Sequence, residues 1–387
     1  MEFDIVWSLL GLPVAFVLGW LASRFDLHQL RLENRRAPKA YFKGLNYLLN
    51  EQQDQAIDAF IEAVRIDPDT SELHFALGNL FRRRGEYDRA VRVHEHLLSR
   101  GDLSRTDRER AQHALALDFL KAGLLDRAET ALGALEGTAY EQQARLARLA
   151  IYERSRDWPQ ASAITHKMHA AGQGDFSARE AHYLCEQAQT QAAAGNTSQA
   201  EALLRQALAA APQAPRARIE LASLLLHAGR ATEAYDTLAT LTQTAPSALP
   251  LAVQPLLEAA QASGRTSEVS QLLHQSYDQH PSLDVLDAIV ALESRGAVAK
   301  QLDDPREWYV RHLEHEPSLV AASKWLAGEK LEHEQFHPQV QRALDHAARP
   351  LMRYRCAACG FEARQHFWQC PGCQSWDSYP ARRVEEL

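Results

Sequence analysis

A small residue returns at Ala56, Ala90, Ala128, Ala161, Ala200, Ala234 and Val269, in steps of 34, 38, 33, 39, 34 and 35 residues. That recurrence restricts the chain to stacked helix pairs, because self-similar units of this length cannot bury an apolar face alone and must pile on one another. The first copy sets the register with Gly44, Tyr47, Ala56, Phe60, Ala63 and Pro68. A step of 34 brings up Gly78, Phe81, Ala90, His94 and Leu97. Later copies carry a turn signal before the small residue: Gly123-Leu-Leu-Asp-Arg-Ala128, Asp157-Trp-Pro-Gln-Ala161, Gly195-Asn-Thr-Ser-Gln-Ala200, Gly229-Arg-Ala-Thr-Glu-Ala234 and Gly264-Arg-Thr-Ser-Glu-Val269. Pro212, Pro246 and Pro281 fall where a second helix should end. Gly or Ala lets two helices approach, and larger residues fill the stack. The two long steps predict longer loops near 101–108 and 171–178, where Gly, Asp and Ser gather.

This register resembles the tetratricopeptide repeat, over residues 37–283. The fold class expected is all-α: a tetratricopeptide-repeat superhelix whose concave surface holds a peptide or another protein. Residues 284–350 continue a helical pattern, with Asp304-Pro305 opening one helix and Pro317 closing it, either as a further repeat or as a polar cap.

The two ends carry different physics. From Ile5 to Ser23, nineteen consecutive residues have no charge, enough helix to cross a bilayer core of about 30 Å. Glu2 and Asp4 precede this run where a signal peptide would have basic residues, so residues 1–24 are expected to be a retained transmembrane anchor. Arg24, Arg31, Arg35, Arg36 and Lys39 follow it, making 25–36 a basic juxtamembrane linker and placing the bulk of the chain in the cytoplasm. A net charge of −8 gives no reason to propose nucleic acid as a partner.

At the other end, Cys356-x-x-Cys359 and Cys370-x-x-Cys373 are two knuckles that can set four thiolates at the corners of a tetrahedron. Gly360 and Pro371-Gly372 supply the turns, and Phe361, Phe367, Trp368, Trp376 and Tyr379 a small aromatic core. A domain as short as 351–387 needs a metal's binding free energy to fold. In a cytoplasmic chain the pairing reads as metal rather than disulfide. Iron and zinc both accept four thiolates, and the closed site has no open position for catalysis.

Other motifs carry less. His333-Glu334-Gln335-Phe336-His337 matches the H-E-x-x-H zinc-protease pattern, but Pro338 biases His337 away from helix and places it at a frayed end. Cys185 reads as core filler on a first helix. His94-Glu95-His96 reads as the solvated face of a second helix. No phosphate loop, nucleophile elbow or kinase signature occurs, and no residue is assigned a catalytic role.

The order of span, basic juncture, repeats and four-cysteine knuckle pair, with Arg353-Tyr-Arg-Cys-Ala-Ala-Cys-Gly-Phe361 and Cys370-Pro-Gly-Cys-Gln-Ser-Trp-Asp-Ser378, resembles the lipopolysaccharide assembly protein B family. The resemblance implies a non-enzymatic inner-membrane scaffold that regulates lipopolysaccharide synthesis. Its implied partners are the membrane ATP-dependent metalloprotease FtsH and the lipid A-committing deacetylase whose degradation it promotes. It also implies a rubredoxin-like module with Cys356, Cys359, Cys370 and Cys373 as ligands. Rubredoxin knuckles usually have Gly after each second Cys, whereas Gln374 follows Cys373, which counts against a redox-active iron. Two further readings stay open: a platform recruiting lipopolysaccharide synthesis and transport proteins, and a metal or redox sensor.

Overall fold

The small residues of the repeat register lie where helices touch. The computed structural model describes residues 16–17, 20, 39–67, 69–296, 298, 301–329 and 334–387. In it Ala56, Ala90, Ala128, Ala161, Ala234 and Val269 are fully buried and Ala200 is nearly so. Interiors are packed to crystal density, so each of these sites would resist even one added methylene. The proposed span and basic linker lie, apart from Phe16, Val17 and Trp20, outside the described residues. Among the described residues no helix is long and apolar enough to cross a membrane.

These residues divide into two units, one running to Arg156 and one from Asp157. The first contains α1 (39–49), α2 (Gln53–Ile66), α3 (Ser71–Arg84), α4 (Tyr87–Ser99), α5 (Arg105–Ala122), α6 (Leu125–Gly133) and α7 (Glu141–Ser155). Sequence neighbours from α2 onward pack on one another, and α3 also reaches α5. Helices α3 and α5 end on Gly85 and Gly123 at φ 84° and 76°, the left-handed turn that glycine makes without strain. α7 ends instead on Arg156 at φ 58°. The insertion expected as a loop at 101–108 is partly helix, because the Ser104 hydroxyl accepts the N–H of Asp107 at 3.0 Å and starts the 18-residue α5 at Arg105.

The second unit begins with α8 (Trp158–Ala170), α9 (Ser177–Ala193), α10 (Thr197–Ala210), α11 (Pro215–His227), α12 (Ala231–Ala239) and α13 (Leu241–Thr244). It continues with α14 (Leu249–Ser263), α15 (Thr266–Gln279), α16 (Leu283–Ser294), α17 (Glu307–His315), α18 (Leu319–Leu326) and α19 (His337–Ala348). Part of the insertion expected at 171–178 is again helical, in α9 from Ser177. Pro212, Pro246 and Pro281 each follow a helix end, as their missing N–H requires. Asp304 and Pro317 bracket α17, with the Asp304 carboxylate accepting the Arg306 N–H at 2.9 Å. One apolar core runs from Ala181 on α9 to Ala348 on α19, so the helices after 283 share the core of the repeats. The chain finishes with β1 (Tyr354–Arg355) and β2 (Glu362–Ala363), antiparallel with Tyr354 opposite Ala363, and a 3₁₀ turn, Val384–Glu386.

Candidate metal centre

The two knuckles are built alike. In the first, the Cys356 N–H donates to Phe361 O at 2.9 Å and the Gly360 N–H returns to Cys356 O at 2.8 Å. In the second, the Cys370 N–H donates to Ser375 O at 2.9 Å and the Gln374 N–H to Cys370 O at 2.8 Å. The reversal needs a left-handed residue at the fifth position. Gly360 supplies it at φ 78°, and Gln374 at φ 62°. Strands β1 and β2 flank the first turn, and a bridge between Gln369 and Trp376 flanks the second.

The turns bring all four sulfurs within 4.8 Å of one another. Cys356 Sγ lies 3.9 Å from Cys373 Sγ, and Cys359 Sγ 3.7 Å from Cys370 Sγ. A regular tetrahedron with bonds of about 2.3 Å has edges of about 3.8 Å, so the donor set fits a four-coordinate zinc or iron. Cys356 and Cys370 are buried, while Cys359 and Cys373 face solvent. The Ser378 hydroxyl lies 3.3 Å from Cys356 Sγ and that of Ser375 3.4 Å from Cys373 Sγ.

These donors divide the thiols. Burial raises Cys356, but the Ser378 hydroxyl and the N–H groups of Cys359 and Ala358 outweigh it and bring the thiol down to about 6. The Ser375 hydroxyl lowers Cys373. At Cys359 the Phe361 N–H lowers the value, yet burial and the three neighbouring thiols push it up to about 12. A bound cation would hold all four as thiolates.

The module lies against the helices of its own unit. Trp376 stacks on His182 of α9, centroids 4.6 Å apart, with Trp158 and Tyr183 edge-on to it at 6.0 Å. His182 Nε2 lies 2.9 Å from both carboxylate oxygens of Asp377. Arg383 forks onto Asp284 of α16 at 2.9 and 2.8 Å, a bidentate pairing. The Glu386 carboxylate accepts the N–H of Leu283 at 2.7 Å, and Glu385 accepts the N–H of Leu319 at 2.6 Å and the Ser318 hydroxyl at 2.7 Å. The turn Val384–Glu386 thus caps the starts of α16 and α18. A cleft of about 570 Å³ remains between the module and the loops before α11 and α14, with Trp368, Tyr379 and Pro212 on its walls.

Residues 354–379 match a family model described as a rubredoxin metal binding domain, and tetratricopeptide-repeat models match 40–70, 73–109 and 191–257. Lipopolysaccharide assembly protein B of Escherichia coli strain K12 is 29% identical over 386 residues, covering 97% of this chain and 98% of that protein. The chain is similar to lipopolysaccharide assembly protein B along nearly its whole length. The protein of that name from Haemophilus influenzae is 25% identical, covering 95% of this chain and 96% of its own. A crystallised tetratricopeptide repeat protein from Parabacteroides merdae is 14% identical, with a TM-score of 0.33, covering 65% of this chain and 97% of that one.

The remaining candidates separate. His333 lies outside the described residues. Glu334 sits in a 3₁₀ turn, and His337 is the first residue of α19, its Nε2 3.1 Å from Leu326 O. Pro338 therefore opens a helix, where proline is favoured, and His337 is not at the frayed end expected. Cys185 is buried, which pushes its thiol up, as a core residue's should be. His94 corrects the expectation of a solvated face: it is fully buried, its Nδ1 2.5 Å from the equally buried Asp118, while Glu95 and His96 are exposed. The docking partners His182, Asp284 and the Val384–Glu386 turn were missed by sequence reasoning; Trp376, expected in the module's own aromatic core, packs instead on α8 and α9, and Phe361 is exposed.

Proposed function

We propose that this protein is a non-enzymatic inner-membrane adaptor that regulates lipopolysaccharide synthesis by promoting degradation of the lipid A-committing deacetylase by FtsH. The observation that carries this reading is the match, over nearly the whole length of the chain, to proteins named for lipopolysaccharide assembly. That match joins a repeat array, suited to holding a protein segment, to a closed four-thiol site with no open coordination position. The apolar run Ile5–Ser23 would tether the array at the inner membrane with its bulk in the cytoplasm. Confinement there raises the effective concentration of protease and substrate without a new contact between them.

In this scheme Cys356, Cys359, Cys370 and Cys373 hold a zinc or iron ion, and the module offers a second contact surface beside the array. Replacing Cys356 and Cys359 by Ser should lengthen the half-life of the deacetylase in cells at a normal level of the variant protein. An unchanged half-life would remove the metal module from the function. The word assembly in the relatives' names supports a second reading, a platform recruiting lipopolysaccharide synthesis and transport proteins. Affinity purification of the full chain from its own cells separates the two. Recovery of protease and deacetylase favours the adaptor, and recovery of synthesis or transport proteins alone favours the platform.

A further inference from the structure

The contacts between module and helices begin from residues that the knuckles place. Trp376 and Asp377 leave the second knuckle directly, and the next residue reaches back, with the Ser378 hydroxyl 3.3 Å from Cys356 Sγ and Ser378 O accepting the Ala357 N–H at 2.7 Å. One short segment is therefore held by the first knuckle on one side and by His182 on the other. The capping turn is placed in the same way. The Val384 N–H donates to Arg353 O at 2.7 Å and the Glu385 N–H to Leu351 O at 3.2 Å, while Arg383 packs on the Tyr354 ring at 4.2 Å. Tyr354 is two residues before Cys356 and shares its apolar cluster with Cys356 and Cys370.

We propose that metal binding by the four thiols is thermodynamically linked to the capping of α16 and α18, so that the C-terminal helices of the array register metal occupancy. A peptide the size of the module buries too little apolar surface to hold its shape unaided, and the metal's binding free energy is then its folding free energy. When the ion leaves, the frame that holds Glu385 and Glu386 leaves with it. Among the described residues helix α16 has no other side-chain cap, since the Ser282 side chain makes no capping bond. Helix α18 keeps, among the described residues, the Ser318 hydroxyl on Ala321. Linkage is reciprocal: whatever α16 and α18 contribute to holding the turn is returned as tighter metal binding. The inference does not depend on which process the array serves, so it stands or falls separately from the deacetylase experiment.

The test is hydrogen exchange on the full chain, loaded with zinc alone and then stripped by a chelator under reducing conditions. Removal should speed exchange at residues 283–286 and 319–322 by tenfold or more and leave 105–122 in the first unit unchanged. Unchanged protection at the two helix starts overturns the linkage, as does a 354–379 segment that stays protected without zinc. The reciprocal arm keeps every thiol. Glu385→Ala with Glu386→Ala should pass zinc to a chromogenic chelator at least threefold faster than the parent, and an equal rate overturns the proposal.

Discussion

Gln374 holds a backbone conformation that its side chain penalises. At φ 62° it makes the turn that Gly360 makes at 78° in the matching knuckle, and a left-handed L-residue costs about 1–2 kcal/mol. Gln374→Gly should therefore stabilise the zinc-loaded module by about 1 kcal/mol, seen as slower zinc loss to a chelator. No gain would mean that the Gln374 side chain offsets the strain. The cysteine spacing made the site readable in the sequence, whereas the glycine missing after Cys373, read there only against a redox-active iron, shows itself in the structure as backbone strain at Gln374. His94 was misread for a related reason. An isolated histidine on an amphipathic helix carries no mark of burial, and only its place in the repeat register, opposite Gly78, could have given it. A Cβ on Gly78 would come 2.5 Å from His94 Nε2, so Gly78→Ala should cost about 1–3 kcal/mol through overpacking, measured by thermal unfolding.

Between elements, some polar contacts are fully buried. Arg82 of α3 and His94 of α4 both meet Asp118 of α5, at 2.8 and 2.5 Å, with the carboxylate fully buried. Arg82 also donates to Ala114 O and Asn79 Oδ1, so Asp118→Ala leaves chiefly the buried His94 without a partner and should destabilise the first unit by about 1–3 kcal/mol, again by thermal unfolding. In the second unit, His312 Nδ1 of α17 lies 2.8 Å from the Tyr277 hydroxyl of α15, the phenol being pushed up by burial to about 12. Burial lowers His312, so the unfolded chain takes up a proton near pH 6.5 that the folded helices resist. The contribution of His312 to stability is complete above about pH 6.5 and is lost as pH falls through the lowered value. His312→Phe should narrow the gap between the urea midpoints at pH 7.5 and 5.5, and an unchanged gap would assign the acid sensitivity to other groups. None of these pairings was legible in the sequence, because periodicity reports which face is buried and not which residue waits on the neighbouring helix. Helix ends were legible where Gly or Pro marks them. They were less so at Ser104 and Ser177, where each insertion divides between a loop and the start of a helix.

For the molecule as a whole, the sequence announced its modules and concealed how one sits on the others. Repeats and knuckles repeat or pair within short stretches, whereas the bond from Asp377 to His182 spans 195 residues and that from Glu386 to Leu283 spans 103. A pattern seen in a window of tens of residues cannot contain such partners. That separation also has a temporal meaning. During synthesis α16 emerges long before the carboxylate that covers its first N–H, so the end of the array stays open until residues 384–386 arrive. At about 5–20 residues per second, the 103 residues between Leu283 and Glu386 take several seconds to make, far longer than a helix takes to form, so α16 folds first and waits for its cap.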